Sequence, residues 1–514
     1  MTAVPDFIDT AARLYADTVA LRFGGREWSY AELKDGVCSA ARLLSEIHHA
    51  GRVGVLSANR PGVVLAAHAS ARMGTSFVPH GWRLAADELM WQITRAGVTT
   101  LVYDEPRSEL AGELAANLGV RLVQIADLEA ATPPATTSPM ARPIDLEREA
   151  AILFTSGTTG RPKGARITYG NLWFSATGSA LYLGQSPGDV WLAVLSLHHI
   201  GGLSILYRAA IGGGTVDLHE RFEPEAVLAA VQAGTTYASL VPTMLQRVLD
   251  NATPPFGWPR TLRGVLLGGA AAPALLVERS LSAGIPVLPT YGLTETSSQA
   301  ATLRAHEVAP HLGSSGRALP LTELRVVVDG VEATRGEIGE ITVRGPSVFA
   351  GYLGEPDRNP ESWFATGDAG YLDDEGYLYV VDRRSDLIIT GGENVYPAEV
   401  ERTLLAHPLV RDAAVVGVTH EVWGPGRSRL SSGLVHQVRR ARNSRATVER
   451  HSPPSRRQTD SWKLESSRAH RRENSYDVRS ASGSRATSRS GRGRTARRAD
   501  SHPGSRSDRR PAPR

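Results

Sequence analysis

A ten-residue stretch, residues 155–164, places the strongest limit on how this chain can fold. Its sequence is T-S-G-T-T-G-R-P-K-G, and it follows a short apolar run at residues 150–154. Glycines let the backbone come close to an anion, loop N–H groups form an anion-binding concavity, and hydroxyl and cationic side chains add donors. The stretch therefore predicts a polyphosphate loop, the alternative being a surface loop of chance composition. It is not a Walker A loop, because Lys163 is followed by Gly164 and not by Ser or Thr.

Length and composition limit the class of protein. A chain of 514 residues that is 41% hydrophobic predicts two or more domains. Cys38 is the single cysteine, so no intramolecular disulfide can form, and its place in an amphipathic pattern predicts a structural role. The N-terminus lacks the regions of a signal peptide, and no run of about 18 apolar residues occurs. We expect a cytoplasmic protein without an integral membrane segment.

The charge of the chain is divided unevenly along its length. Residues 427–514 contain 23 Arg, one Lys and seven acidic residues, so they carry +17 and the rest of the chain carries −13 of the net +4. The basic excess is therefore no argument that the body binds nucleic acid, and we predict no nucleic-acid partner. The 18 serines and few large apolar residues of this segment predict a disordered tail. The alternative is a basic arm for nucleic acid or an acidic membrane, although Trp462 and Tyr476 are its only aromatic residues.

Two stretches of the chain alternate strand and helix patterns. The first has strand patterns at 53–56, 75–78, 99–103 and 121–125, and helix patterns at 62–72 and 86–96. The second, residues 188–296, has strand patterns at 190–195, 237–241 and 264–267, and helix patterns at 223–232 and 242–249. This alternation predicts largely parallel sheets covered by helices. Residues 131–143, rich in Pro, Thr and Ala, predict a loop that leads into the glycine-rich stretch at 155–164.

The pattern changes after Gly316. Short strands are predicted at 323–329 and 340–344, and a hairpin at 371–381, so a small β-rich unit follows. A helix at 398–406 and a strand at 413–418 come next.

Three segments beyond the loop carry residues suited to nucleotide chemistry. Y-G-L-T-E at 291–295 offers an aromatic face and, at Glu295, a carboxylate of the kind Mg²⁺ shares with substrate phosphates. Asp368 in T-G-D can accept both hydroxyls of a ribose, and Arg383 is a candidate ribose or phosphate partner. Ordinary turns are the alternative for each segment taken alone.

A histidine pair follows an apolar strand pattern, in H-H-I-G-G at residues 198–202. A lone buried histidine is more often a core residue than a catalytic one. We expect no metal here, because no carboxylate or thiol lies at ligand spacing.

In order and spacing, these motifs resemble the acyl-adenylate-forming (AMP-binding) superfamily, which includes acyl-CoA synthetases, luciferases and the adenylation domains of peptide synthetases. The resemblance covers residues 8–424. Within the superfamily the chain looks like the o-succinylbenzoate–CoA ligases of menaquinone biosynthesis, and it lacks the insertions typical of long-chain fatty acyl ligases. Four stretches carry this closer resemblance: S-L-H-H-I-G-G-L-S-I-L, L-L-G-G-A-A-A-P, Y-G-L-T-E-T-S-S-Q and D-R-R-S-D-L-I-I-T-G-G-E-N-V-Y-P-A-E-V-E.

The resemblance implies an ATP-dependent acid–CoA ligase that uses Mg²⁺ and coenzyme A and acts on a small carboxylate. It implies catalytic roles for Lys163, His199, Thr294, Glu295 and Arg383, with Glu295 as the metal ligand. The implied ATP-binding residues are Thr155, Ser156, Gly157, Thr158, Thr159, Gly160, Lys163, Gly268, Gly269, Tyr291, Thr294, Asp368 and Arg383. The implied acyl-substrate residues are His199, Gly268, Gly269, Ser298 and Gln299. Ser385 would be the hinge, and Gly391 and Gly392 would approach CoA.

We therefore expect an α/β fold with two α/β subdomains and a small β-rich subdomain within an AMP-binding domain, residues 1–384. An incomplete small α+β C-terminal domain, residues 385–426, and the tail, residues 427–514, would follow. The oligomeric state is left open, with a homo-oligomer as one option.

The chain departs from the family at its C-terminal end. The family places a lysine there, usually after Ser-Gly or Thr-Gly, but the chain has only Lys34, Lys163 and Lys463, and Lys463 lies in D-S-W-K within the tail. We interpret the tail as the product of a frame shift near residues 424–427 of a GC-rich gene. Two functional alternatives remain: a ligase for another aryl or medium-chain carboxylate, and a nucleotide-binding pseudoenzyme.

Overall fold

The computed structural model describes residues 3–47, 50–130, 142–155, 162–252 and 256–383, together with four short strands between residues 388 and 429. All of these residues belong to one of two compact units, Met1–Gln458. The other unit, Thr459–Arg514, lies outside the described residues. The sequence-predicted helix at 398–406, and most of the predicted loop at 131–143, also lie outside them.

The helices of the described part are α1 Phe7–Leu14, α2 Tyr30–Ile47, α3 Pro61–Met73, α4 Ala86–Ala96, α5 Ser108–Leu118, α6 Ile125–Ala130, α7 Tyr169–Leu183, α8 Ile200–Gly212, α9 Pro224–Gln232, α10 Pro242–Asn251 and α11 Ala274–Ser282.

Its strands up to residue 302 are β1 Ala3–Val4, β2 Val19–Phe23, β3 Arg26–Ser29, β4 Arg52–Leu56, β5 Phe77–Pro79, β6 Val98–Tyr103, β7 Arg121–Gln124, β8 Ile144–Asp145, β9 Glu149–Thr155, β10 Lys163–Thr168, β11 Val190–Ala193, β12 Thr215–Leu218, β13 Tyr237–Leu240, β14 Gly264–Leu267, β15 Val287–Leu293 and β16 Ser298–Thr302. The later strands are β17 Arg317–Ala318, β18 Glu323–Val328, β19 Val331–Glu332, β20 Gly339–Arg344, β21 Gly351–Tyr352, β22 Phe364–Leu372, β23 Leu378–Arg383, β24 Ile388–Thr390, β25 Glu393–Val395, β26 Val418–Thr419 and β27 Ser428–Arg429.

Three sheets make up most of the described fold. The first has seven strands in the order β21-β10-β9-β5-β4-β6-β7, and the second has nine in the order β17-β16-β15-β14-β13-β11-β12-β2-β3. Both have a parallel centre and antiparallel strands at an edge. The third sheet is antiparallel, in the order β19-β18-β20-β22-β23. The predicted α/β class with two α/β subdomains and a β-rich subdomain is confirmed.

Helix α3 shows why these residues fold as they do. It begins at Pro61, whose missing N–H is tolerated in the first turn, and ends before Gly74, whose φ of 80° suits the left-handed cap. All of its residues from Pro61 to Arg72 are buried, including the polar His68, Ser70 and Arg72, so the helix is enclosed on every side. The second helix, α2, buries Cys38, which agrees with the structural role predicted for that thiol.

The core joins the three sheets. One apolar cluster includes Val53 of β4, Trp191 of β11, Leu203 of α8 and Ile341 of β20. The sheets are therefore packed around shared interior residues, and their edges can contribute to a common site. No helix among the described residues is long and apolar enough to cross a bilayer.

Candidate active site

The predicted polyphosphate loop connects two antiparallel strands of the first sheet. Thr155, at the end of β9, pairs with Lys163, at the start of β10, and the Thr155 hydroxyl donates to the Lys163 carbonyl at 3.4 Å. The two strands thus hold both ends of the loop firmly in the sheet. Ser156, Gly157, Thr158, Thr159 and Gly160 lie outside the described residues.

Lys163 and Glu295 meet at one side chain, Tyr352 of β21. The Tyr352 hydroxyl donates to Glu295 Oε1 at 2.8 Å, and Lys163 Nζ lies 4.6 Å from the centre of the Tyr352 ring. Lys163 Nζ is also 3.5 Å from Glu355 Oε1. Burial, and then the carboxylates of Glu295 and Glu355, raise the pKa of Tyr352 well above its usual value, so its hydroxyl remains a donor.

The Glu295 carboxylate suits a magnesium ion shared with a nucleotide. It is partly exposed on a 3-10 turn that begins at Thr294, and Tyr352 is the partner of one of its oxygens. No group of three or more His, Cys, Asp or Glu side chains in the described part could hold a metal by itself. Mg²⁺ is usually held by one or two carboxylates together with substrate phosphates, so the donor set fits that ion.

Tyr291 and Asp368 form a second contact across sheets. The Tyr291 hydroxyl donates to Asp368 Oδ2 at 2.7 Å, and the two residues are 7% and 5% exposed. Asp368 of β22 is paired in register with Arg383 of β23. The sequence-predicted adenine and ribose residues are therefore neighbours, held by strands of two sheets. The backbone of Arg383 is described and its side chain is not.

Gly268 and Gly269 follow β14, beside the strand that carries Tyr291. A Cβ at Gly268 would lie 2.7 Å from Thr290 Cγ2, and Gly269 has a φ of 77°. Both positions therefore require glycine. They lie at the carboxyl end of parallel strands, where ligands of open α/β sheets bind.

The segment after Glu295 has an unusual backbone. Ser297 and Ser298 have φ values of 54° and 103°, and a Cβ at the facing Gly292 would lie 1.7 Å from the Ser298 carbonyl oxygen. Positive φ is costly for serine and marks a conformation held by its surroundings. The Ser175 hydroxyl of α7 supplies part of that support by donating to the Ser297 carbonyl at 2.7 Å.

Gln299, predicted to line the acyl pocket, is buried and hydrogen-bonded to other side chains. It is 4% exposed, accepts a hydrogen bond from Ser179 at 2.8 Å, and donates to Thr302 Oγ1 at 2.9 Å. Both ends of its amide thus have protein partners. Its neighbour Ser298 is the more accessible of the two predicted acyl-substrate residues.

His199 precedes the first turn of α8, and its ring lies 4.2 Å from that of His198. Burial lowers the pKa of His199, and burial, then the neighbouring His199, Arg83 and His80, lowers that of His198 to about 3. The helix N-terminus also disfavours a cation, so His199 is a neutral imidazole at neutral pH. It is suited to hydrogen bonding and unsuited to pairing with an anion.

A match to a protein family accounts for this arrangement. The family model described as AMP-binding enzyme matches residues 8–353. This chain belongs to the AMP-binding enzyme family. It is 43% identical over 431 residues to the 2-succinylbenzoate–CoA ligase of Geobacillus kaustophilus, across 82% of this chain and 86% of that protein.

Solved structures that resemble this chain show the same fold. The o-succinylbenzoate CoA synthetase (MenE) of Bacillus subtilis, in complex with the acyl-adenylate intermediate OSB-AMP, gives a TM-score of 0.76 at 37% identity, with 82% of this chain and 87% of that chain covered. Its complex with ATP and magnesium ion gives 0.75 at 36% identity, with 82% and 88% covered. MatB of Rhodopseudomonas palustris with ATP gives 0.72 at 30% identity, with 82% and 87% covered.

Arg208 belongs to this candidate site of the AMP-binding enzyme and was not predicted from the sequence. It is 2% exposed on α8, and its Nη2 donates to Ser298 Oγ at 3.0 Å, while Nε has no partner among the described residues. Burial lowers its pKa to about 10, and no carboxylate of the described part offsets its charge. A lone cation in the apolar sequence I-L-Y-R-A-A-I was the available signal.

Three other predicted residues of the AMP-binding enzyme fall outside the described part. They are the hinge residue Ser385 and the CoA-facing glycines Gly391 and Gly392. Their roles stay predictions.

Proposed function

We propose that this chain is an ATP- and Mg²⁺-dependent 2-succinylbenzoate–CoA ligase of menaquinone biosynthesis. The Geobacillus kaustophilus relative bears that name, and the o-succinylbenzoate CoA synthetase of Bacillus subtilis is solved with the acyl-adenylate OSB-AMP. The observation that carries the assignment in this chain is Arg208, a buried cation beside Ser298 with no anionic partner in the described part. 2-Succinylbenzoate has two carboxylates, one that reacts and one that needs a cation. A buried charge is stable only when it is paired, so the second carboxylate would complete the pair.

The reaction would proceed in two steps. A carboxylate oxygen of the substrate attacks the α-phosphorus of ATP. The bond from that phosphorus to the oxygen that bridges it to the β-phosphorus breaks, so pyrophosphate departs and an acyl-AMP is formed. The thiol of coenzyme A loses its proton and attacks the acyl carbon, and AMP departs with the electron pair. The protein contributes position and charge rather than a covalent group.

The family resemblance implies the residue roles, and the positions of the described residues support them. Lys163 and the loop that starts at Thr155 would hold the departing phosphates, and Glu295 would hold the magnesium ion, which offsets phosphate charge when bound. Tyr291 and Asp368 would contact adenosine, and neutral His199 would lie beside the acyl group. Thr294, next to Glu295, would donate to the α-phosphate.

A pyrophosphate-release assay tests the assignment. The substrates are 2-succinylbenzoate, 4-oxo-4-phenylbutanoate, which keeps the acyl chain but lacks the ring carboxylate, and octanoate. We expect release with the first and far slower release with the others. Equal rates with the second or third would favour a ligase for another aryl or medium-chain acid. Nucleotide binding without release would favour the pseudoenzyme.

We further propose the division into residues 1–384, 385–426 and 427–514, with the last segment read out of frame. In the Geobacillus kaustophilus comparison, 82% of this chain matches 86% of the relative, so each has a part without a counterpart in the other. The Arg- and Ser-rich composition and the missing family lysine support the frame shift. Resequencing the gene across the Trp423 codon tests it, and an uninterrupted frame encoding this tail would contradict it. A frame-corrected chain should release pyrophosphate faster than this one.

The cytoplasmic location and the homo-oligomeric option stay predictions. Fractionation of cells and analytical ultracentrifugation would test them.

A further inference from the structure

The segment 349–353 connects the two halves of the phosphate site through its backbone. The Phe349 N–H donates to the Glu295 carbonyl at 2.8 Å, and the Leu353 N–H donates to the Gly164 carbonyl at 2.8 Å. Within the segment, Tyr352 is paired with Ala165 of β10. The strand that leaves the polyphosphate loop and the turn that carries Glu295 are therefore tied to the same five residues.

The side chain of Tyr352 repeats this connection at the functional groups. Its hydroxyl donates to Glu295 Oε1, and its ring lies under Lys163 Nζ at 4.6 Å. Phe349 packs edge-to-face on the ring with centroids 4.8 Å apart, which limits its rotation. One restrained ring thus contacts both the predicted metal ligand and the predicted phosphate lysine.

We propose that Tyr352 is a positioning residue for the magnesium–nucleotide complex. Its hydroxyl occupies one oxygen of Glu295 and so orients the other toward the cation, while its ring holds Lys163 beside the loop that starts at Thr155. Second partners of this kind fix the orientation of a metal ligand and strengthen binding of the ion. The inference rests on the proposed function only for the binding of ATP and Mg²⁺, and not for the identity of the acid.

The first test separates the hydroxyl from the ring. Tyr352→Phe removes the bond to Glu295 and keeps the ring, and Tyr352→Leu removes both. Binding of α,β-methylene-ATP, which cannot lose pyrophosphate, is measured by calorimetry on the full chain over a range of Mg²⁺ concentrations. We expect Tyr352→Phe to raise the half-saturating Mg²⁺ concentration about tenfold, the size of one lost hydrogen bond to a charged group, and to leave Mg²⁺-free binding unchanged. Tyr352→Leu should weaken Mg²⁺-free binding as well.

The matched control is Tyr377→Phe. Tyr377 also donates to a carboxylate, Glu307 Oε1 at 3.2 Å, but it lies outside the candidate site. The Tyr377→Phe variant should lower the melting temperature about as much as Tyr352→Phe does. It should leave the Mg²⁺ dependence of nucleotide binding unchanged. Equal shifts in Mg²⁺ dependence for the two variants would show that Tyr352 serves stability alone, and would overturn the proposal.

A double-mutant cycle tests whether Tyr352 acts through Glu295. In a Glu295→Gln background, Tyr352→Phe should cause no further loss of metal affinity. The affinity is measured by electron paramagnetic resonance with Mn²⁺ in place of Mg²⁺. A further loss of the same size as in the unaltered chain would overturn the proposal. Normal binding of the nucleotide with Mg²⁺ but no turnover of 2-succinylbenzoate would count against the proposed substrate only. No Mg²⁺-dependent binding in the unaltered chain would overturn both.

Discussion

Among single residues, Arg208 is expected to lower the stability of the protein while it strengthens binding of the substrate. Its guanidinium is buried, and Ser298 is its hydrogen-bond partner. We predict that Arg208→Met raises the free energy of unfolding by about 1 kcal/mol or more, because an apolar side chain of similar length removes the cost of a buried charge. The same change should weaken binding of 2-succinylbenzoate by more than about tenfold, since the second carboxylate loses its cation. Urea denaturation and calorimetry measure the two effects.

The control for Arg208→Met is Arg263→Met. Arg263 pairs with the buried Asp189 at 2.9 Å, so its loss leaves a buried carboxylate unpaired. That variant should be less stable than the unaltered chain, with substrate binding unchanged. Destabilisation of both variants to the same extent would contradict the interpretation of Arg208 as an uncompensated charge.

His80 gives the protein a predictable sensitivity to acid. It is 1% exposed, its Nδ1 contacts Gln92 Oε1 at 3.1 Å, and burial lowers its pKa to about 4. The unfolded chain takes up this proton near pH 6.5 and the folded chain near pH 4, so stability is fully present above the first value and falls as the pH drops toward the second. We predict that His80→Asn reduces the slope of unfolding free energy against pH in this window by about 1.4 kcal/mol per pH unit.

Urea denaturation at a series of pH values measures this slope. His306→Asn, at an exposed histidine, is the control and should leave the slope unchanged. An unchanged slope in His80→Asn would show that the folded protein protonates this imidazole at the same pH as the unfolded chain does, and would contradict the prediction.

At the scale of elements, helix α7 supports the strained turn of the candidate site. Ser175 bonds to the Ser297 carbonyl, whereas Thr177 of the same helix bonds back to its own Trp173 carbonyl at 2.8 Å. We predict that Ser175→Ala lowers the unfolding free energy by about 1–2 kcal/mol and weakens 2-succinylbenzoate binding, because Ser298 loses its fixed place beside Arg208. Thr177→Ala should not weaken binding. Calorimetry on both variants decides between these outcomes, and equal affinities would refute a positioning role for α7.

Local sequence patterns predicted the elements well and their partners poorly. The helix at 86–96 and the strand at 264–267 were predicted with their observed bounds, because periodicity and Gly or Pro punctuation act locally. The hairpin of β2 and β3, however, joins the second sheet beside β12, and β21 joins the first sheet beside β10. These pairings connect residues roughly two hundred positions apart, so no local pattern records them.

The same distinction applies to the site. Motifs predicted Lys163, Glu295, Tyr291 and Asp368. In the structure Lys163 and Glu295 both contact Tyr352, and Tyr291 donates a hydrogen bond to Asp368. Tyr352 and the α7 serines were missed, because their roles come from contacts between distant segments and their own sequence surroundings are ordinary. Such residues become visible only when the sheets have been placed against each other.

At the scale of the whole molecule, three sheets build one site. Lys163 comes from the first sheet, Tyr291 from the second and Asp368 from the third, and a shared apolar cluster joins the sheets. The candidate nucleotide site therefore depends on the described fold up to β23, and residues 427–514 contribute none of the motifs of the predicted ATP site.

We predict that trypsin cuts this chain first within residues 427–514 and leaves a stable product. That segment holds 23 of the arginines, and its composition predicts no core, whereas arginines of the body such as Arg72 and Arg208 are buried. Mass spectrometry identifies the product, and calorimetry measures its binding of α,β-methylene-ATP. That binding should have the Mg²⁺ dependence of the uncut chain. Because Lys463 is removed with the segment, unchanged binding would also show that this lysine is not part of the nucleotide site. Resistance of the segment to trypsin, or loss of binding on its removal, would contradict this prediction and would mean that residues 427–514 are folded and complete the truncated C-terminal domain.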